Sequence, residues 1–219
     1  MQALMYPLYG DPVDFSNISA LVPDMHIIAH SLAAQNRWHG NTRHYWSVAN
    51  HCVHAVEIFR KGFEFFGIKE FSPAYYYTML RLLLHDAGEA YTGDINTYIK
   101  HASQEVNDIC DAVQDRVENY ILASVVGTRF LIEETDAAHA VHVIDKLCGW
   151  AEVHTLANEK CPLYNFVEDQ VPPKLLDDAL MLVWKLSTEL NTPVSAELRY
   201  TYTFDTLSRR ATYDPEHEE

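Results

Sequence analysis

Positive charge is scarce in this chain. There are 16 Lys and Arg against 31 Asp and Glu, a formal net charge of −15 over 219 residues. A field of that sign repels duplex nucleic acid and anionic membrane surfaces. A phosphate-bearing ligand must then be drawn in locally, by a metal ion or a few Arg and Lys side chains. This favours a small substrate over a nucleic-acid polymer or a membrane. Cys52, Cys110, Cys148 and Cys161 stand far apart with no C-x-x-C pair. That spacing argues against a zinc knuckle and suggests no disulfide framework; reduced, partly buried thiols in a cytoplasm are expected. No apolar run approaches the ~18 residues of a membrane span. The opening MQALMYPLYGDP lacks a basic stretch followed by an apolar one, so no signal peptide is expected. Internal repeats, low-complexity blocks and clear β alternation are also missing.

What remains is a chain that is 48% hydrophobic, enough to bury a core without staples. Its length suits a single domain over 1–219, with an irregular segment at 1–22 and an acidic tail at 213–219. Helical spacing dominates, and the expected fold is all-α with roughly seven to nine helices. Asp24 is placed to cap a first helix through IIAHSLAAQ, and Ser47 a second through VANHCVHAVEIFRKGFEFF that closes at Gly67. Ser72-Pro73 opens a third through AYYYTMLRLLLHDAGEA, broken by Thr92-Gly93-Asp94. Ser103 is placed to cap a fourth. A fifth carries VHVIDKLCGW, and two more follow Pro172-Pro173 and Pro193.

The third of these, RLLLHDAGEAYTGD, ends an apolar stretch in His85, Asp86, Glu89 and Asp94. Burying one such side chain unpaired costs several kcal/mol, so a bound cation is the first candidate for compensation. On a helix His85 and Asp86 point about 100° apart and one ion at that shoulder can take both. Glu89, on the same face, is placed beside the ion as a general acid or base. Two further ionisable groups sit in apolar stripes, His51 in SVANHCVH and Asp145 in VHVIDKLCGW. Singly, His51 reads as a hydrogen-bonded core histidine and Asp145 as a cap or buried ion pair; together with the His-Asp pair they suggest a ligand set. His54, His139 and His101 are further candidates for the same region or for a second ion. Two imidazoles and two carboxylates suit one divalent transition metal ion, with Zn, Co or Mn the foremost choices.

In the order His51, His85-Asp86, Asp145 the chain resembles the H…HD…D signature of the HD-domain phosphohydrolase superfamily. HDAGEAYTGDINTYIK is similar to the HDxxExxTGDxPTPxK stretch of bacterial HD-domain 5′-deoxynucleotidases. NRWHGNTRHYWSVANH is similar to their N-R-W…S-E-H segment, and IDKLCGW to their A-D-A-L-C-A-Y. Phage HD-domain dATP triphosphohydrolases share the layout. The likeness spans Asn36 to Leu156. Asn50 stands where the deoxynucleotidases have Glu, His142 where a Lys is common, and Asn96-Thr97-Tyr98 in place of the prolines.

The resemblance implies an HD-type helical fold in which His51, His85, Asp86 and Asp145 hold one divalent ion. It makes Glu89 the catalytic acid/base. Arg37 would hold phosphate, and Trp38 would pack on sugar or base. Asp94 would contact the sugar hydroxyl, and Lys100 would meet a phosphate. The implied activity is metal-dependent hydrolysis at the 5′-phosphate of a purine deoxynucleotide, as a dNMP 5′-nucleotidase or a dNTP triphosphohydrolase, in a cytoplasm (the host's, for a phage-borne gene). Relatives assemble, and the late helices would suit a homo-oligomer. The alternatives are a non-catalytic HD-fold nucleotide-binding module and a cyclic-nucleotide or alarmone hydrolase.

Overall fold

The computed structural model describes residues 4–5, 11–95, 103–126, 135–157, 164–189 and 191–211. Seven helices of ten or more residues carry the architecture: α1 Met25–Ala34, α2 Val48–Gly62, α3 Pro73–Leu84, α4 Gln104–Val126, α5 Thr135–Leu156, α6 Pro173–Thr188 and α7 Pro193–Ala211. The all-α expectation holds, with one small addition. Two-residue strands, Leu4–Met5 and Val13–Asp14, pair antiparallel within the segment expected to be irregular. Pairs this short carry no alternation to read in the sequence.

The caps act as the sequence indicates. The Asp24 carboxylate accepts from the N–H groups of His26 and Ile27 at 2.8 and 3.4 Å. The Ser47, Ser72 and Ser103 hydroxyls accept from the N–H of Asn50 (3.2 Å), Tyr75 (3.2 Å) and Val106 (3.3 Å). Each cap satisfies a donor that has no partner within the helix, which contributes about 1 kcal/mol.

Helix α2 is the central element. Val48 to Val56, with Ile58 and Phe59, are buried, because α1, α3, α5, α6 and α7 all pack on it. It ends at Gly62, earlier than expected, and a 3-10 turn over Phe63–Phe66 carries the chain to Gly67, whose φ of 69° closes the stretch. Leu82, Leu83 and Leu84 at the end of α3 are buried against this centre, each contributing about 2 kcal/mol. Gly149 on α5 has a steric role. A Cβ there would lie 2.6 Å from the Tyr164 ring, so a larger residue would displace the ring that Lys146 Nζ faces at 5.7 Å.

His54 is buried and does not join the ionisable cluster. Its Nε2 donates to the Ala179 carbonyl at 3.2 Å and its ring meets Trp46 edge-on. Burial, outweighing the opposing pull of Glu152, lowers its pKa to about 4. The unfolded chain takes up the proton first, near pH 6.5, so stability is full above that pH and is lost as pH falls from 6.5 towards 4. The shift corresponds to about 3 kcal/mol as an upper bound. His54→Leu is expected to flatten this part of the profile, measured as the fall in Tm between pH 7 and 4.5 in wild type and variant.

Candidate metal centre and active site

Three helices bring four ionisable side chains to one point. α2 carries His51 one turn beyond its Ser47 cap, the end of α3 supplies His85 and Asp86, and α5 supplies Asp145. His51 Nε2 lies 3.1 Å from His85 Nε2 and 3.2 Å from Asp145 Oδ1. Asp86 Oδ2 lies 3.7 Å from His51 Nε2 and 3.5 Å from His85 Nε2, and His85 Nε2 is 3.6 Å from Asp145 Oδ1.

The other ring nitrogens settle the proton positions. His51 Nδ1 meets a carboxylate, Glu152 Oε1, at 2.6 Å, and His85 Nδ1 meets the Leu82 carbonyl at 2.6 Å. Both oxygens accept, so both Nδ1 atoms donate, and in its neutral form each ring turns an Nε2 lone pair inward. Two ring nitrogens and two carboxylate oxygens thus converge, an arrangement that needs positive charge in the middle, either a proton shared by the histidines or a bound cation. Metal–ligand distances of about 2.0–2.2 Å in a tetrahedron give donor separations of roughly 3.3–3.6 Å, close to the five separations above; His51, His85 and Asp145 form the compact group, and Asp86 joins it through the two histidines. The residues present therefore fit a divalent transition metal ion.

The electrostatics show the same demand for positive charge, met by a proton when no ion is bound. Burial alone would depress His85, yet Asp86 and Asp145 push its pKa up to about 10. Burial would raise Asp145, but His51, His85 and Lys146 hold it well below the usual carboxylate range. Lys146 Nζ bonds Asp145 Oδ2 at 2.8 Å, which leaves Oδ1 facing the histidines. Cys52, next to His51, forms a second close group with His85 and Asp86. Burial pushes its thiol well up, so it remains a neutral neighbour.

The third helix stops sooner than its sequence suggests. α3 ends at Leu84, turns follow, and a single helical turn resumes at Glu89–Thr92. The His85 side chain occupies the Leu82 carbonyl, and the next bonds are tighter: Ala87 N–H to Leu84 O and Glu89 N–H to Asp86 O, both 2.9 Å. This opening lets His85 and Asp86 point together. Gln35 secures the far side, donating to the Glu89 carbonyl at 2.9 Å and accepting from the Asp94 N–H at 2.8 Å. Gln35 thus holds the backbone at both ends of the stretch from Glu89 to Asp94.

Arg37 and Trp38 approach from the loop after α1. Arg37 Nη1 is 3.5 Å from Asp86 Oδ2. Burial would favour the neutral guanidine, but Glu152, Asp86, Asp94 and Glu89 keep it charged. Trp38 and His39 both have left-handed backbones, φ 57° and 51°, a conformation that costs a non-glycine residue about 1 kcal/mol or more and concentrates at functional sites.

Glu152 holds these pieces together. It is fully buried and two turns beyond Asp145 on α5. Besides His51 Nδ1 it accepts from Arg37 Nε at 3.0 Å and Trp38 Nε1 at 3.1 Å. Burial would raise its pKa, but Arg37 and His51 hold the carboxylate ionised. One carboxylate thereby orients a metal-facing histidine, a guanidinium and the strained loop. A signal for it was present in the spacing, since Glu152 follows Asp145 by seven and shares its helix face. Partners of metal-facing histidines typically matter by about 10–100-fold in metal affinity or activity. Glu152→Gln is expected to weaken metal uptake by that order and to raise KM, because Arg37 loses its anchor; metal titration with steady-state kinetics measures both.

A cavity of about 150 Å3 opens beside the centre, lined by His85, Asp86, Gly88, Glu89 and, from α4, Asp111, Gln114, Asp115 and Glu118. The α4 carboxylates recur at i, i+4 and i+7, one helix face that sequence reasoning passed over. Burial, with Asp86 and Asp115 nearby, pushes Glu118 up to about 8. Asn50, which replaces the expected glutamate, is buried and donates to Asn191 Oδ1 at 2.9 Å. His139 packs on Phe66, with ring centroids 6.1 Å apart. His101 and Lys100 lie outside the described residues.

A helical shell enclosing a two-histidine, two-aspartate cluster defines the class of HD-domain metal-dependent phosphohydrolases. Residues 18–151 match the family described as 5′-deoxynucleotidase YfbR-like, and the chain belongs to that family. A search of curated proteins found no match to the chain. Among the described residues no helix is long and apolar enough to cross a membrane.

Proposed function

We propose that the chain hydrolyses deoxynucleoside 5′-monophosphates to the deoxynucleoside and inorganic phosphate. The observation that carries this reading is the placement of the Arg37 guanidinium 3.5 Å from Asp86, at the edge of the four-donor cluster. A planar cation next to a divalent-ion site suits a phosphate, whose oxygens its fork can meet two at a time. When bound, the divalent cation supplies Lewis-acid stabilisation of phosphoryl charge and lowers the pKa of water.

The chain's own groups divide the remaining work. Arg37 neutralises phosphoryl oxygens and fixes their orientation. Glu89, lining the cavity beside His85 and Asp86, accepts the proton of the attacking water as the new P–O bond forms. It returns a proton to the 5′-oxygen as the P–O5′ bond breaks. Asp94, just past the Glu89–Thr92 turn and held at its N–H by Gln35, accepts from the sugar 3′-hydroxyl. Trp38, held by Glu152, closes the space a 2′-hydroxyl would need. The family description names a 5′-deoxynucleotidase, in keeping with this substrate. The monophosphate is also favoured over the triphosphate because the cavity's lining includes five carboxylates and no Lys or Arg. Extra phosphates there would meet like charge.

Chromatographic product analysis of a panel of dNMPs, rNMPs and dNTPs with Mn or Co tests the proposal. Deoxynucleoside and phosphate from dNMPs, with rNMPs slow, is the expected result. Nucleoside and tripolyphosphate from dNTPs would move the assignment to a triphosphohydrolase. Silence across the panel with binding intact would indicate a non-catalytic module.

A further inference from the structure

A larger cavity, of about 510 Å3, lies among α2, α3, α6 and α7 and shares no residue with the metal centre. Its α2 wall, Val53, Val56, Glu57 and Arg60, is the face opposite His51, each residue lying roughly 140–240° around the helix from it. The volume falls within the roughly 300–1,000 Å3 typical of small-molecule sites.

Its lining is unusual for this chain. Four of the 16 basic residues, Arg60, Lys185, Arg199 and Arg210, meet here. Three carboxylates, Glu57, Glu70 and Glu189, also line it, one fewer than the basic groups; Glu57 pairs with Arg60 at 3.1 Å, and Glu189 with Arg199 at 3.6 Å and Lys185 at 4.0 Å. Arg199 still has a buried Nη1 without an acceptor. Arg210 Nη1 contacts only a neutral group, the Tyr76 hydroxyl at 3.1 Å, among the described residues. A buried charged donor without an acceptor is costly, and an anion in the cavity would supply one.

The rim is aromatic. Phe71 is 64% exposed and Tyr202 74%. Phe71 also has φ 59°, so strained backbone holds a large apolar ring at the cavity mouth, and such strain gathers at binding sites. Tyr75 and Tyr76 continue the aromatic wall, 6.0 and 6.5 Å from the Phe71 ring.

We propose that this cavity is a second, non-catalytic binding site for a nucleotide-class ligand, a planar aromatic ring joined to a phosphate-like anion. Arg199 and Arg210 receive the anion, and the ring lies against Phe71 and Tyr202. The assignment is independent of the reaction at the metal centre.

Calorimetric titration of the full chain in EDTA, where the centre is stripped, tests it with dAMP, dATP and inorganic pyrophosphate as probes. The expected result is saturable nucleotide binding at one site per chain, retained in Arg37→Ala/His85→Ala. Arg199→Gln and Arg210→Gln should each weaken it about tenfold, the loss expected for one charged hydrogen bond. Arg210 is exposed, so its variant reports even where Arg199→Gln fails to fold. Absence of nucleotide binding, or affinity unchanged in Arg210→Gln, overturns the proposal. Pyrophosphate binding without dAMP binding overturns the aromatic half of it. A stable dimer that buries Tyr202 and Arg210 assigns the cavity to a subunit interface and overturns it as well.

Discussion

Asp145→Asn is expected to lower phosphate release by about a thousandfold, or roughly 4 kcal/mol in the barrier. Asp145 Oδ1 is 3.2 Å from His51 Nε2 and 3.6 Å from His85 Nε2, so it is integral to the donor cluster. Asparagine has the same shape and removes the charge. Its amide presents either a weaker neutral oxygen or an N–H donor, and the latter would satisfy the two Nε2 lone pairs without any ion. The variant is therefore expected to fold, with a Tm near wild type in EDTA, while losing both metal uptake and turnover. His85→Ala should give the same pair of losses from a different helix. If Asp145→Asn bound metal stoichiometrically and retained wild-type turnover, the cluster would not be the catalytic centre.

Glu89→Gln separates proton transfer from assembly of the centre. Glu89 is buried at the mouth of the single turn Glu89–Thr92, with its backbone fixed by Gln35. It lies beside the donor cluster and outside it. Glutamine keeps the volume but cannot take up a proton. The expected result is a fall in kcat of about 10²–10⁴-fold, the usual contribution of a positioned general acid or base. KM and metal stoichiometry should change little. A parallel loss of metal would make Glu89 a ligand, and full turnover would remove it from the mechanism.

Much of this arrangement was legible in the sequence, for identifiable physical reasons. Helix starts were readable because Asp24, Ser47, Ser72 and Ser103 cap locally, through contacts within three residues. The convergence of His51, His85, Asp86 and Asp145 was readable because ionisable side chains inside apolar stripes must be compensated. Features that depend on distant partners were not. The break after Leu84 comes with the His85 ring bonded to the Leu82 carbonyl, a side-chain contact that helical periodicity does not reveal. His54, three residues from His51, instead turns to the Ala179 carbonyl on α6. The left-handed pair Trp38-His39 contains no glycine to announce it, and its support comes from Glu152, more than a hundred residues away. The acidic face of α4 was visible as a spacing, but its meaning depended on which neighbour it faced.

The central claim is that His51, His85, Asp86 and Asp145 enclose a single divalent cation. Anomalous diffraction from crystals grown with Mn or Co, recorded above and below the metal absorption edge, tests it most directly. One strong peak per chain, within bonding distance of His51 Nε2, His85 Nε2, Asp86 and Asp145, is the predicted result. No peak at that point, or a peak held by other side chains while those four stay apart, would contradict the account.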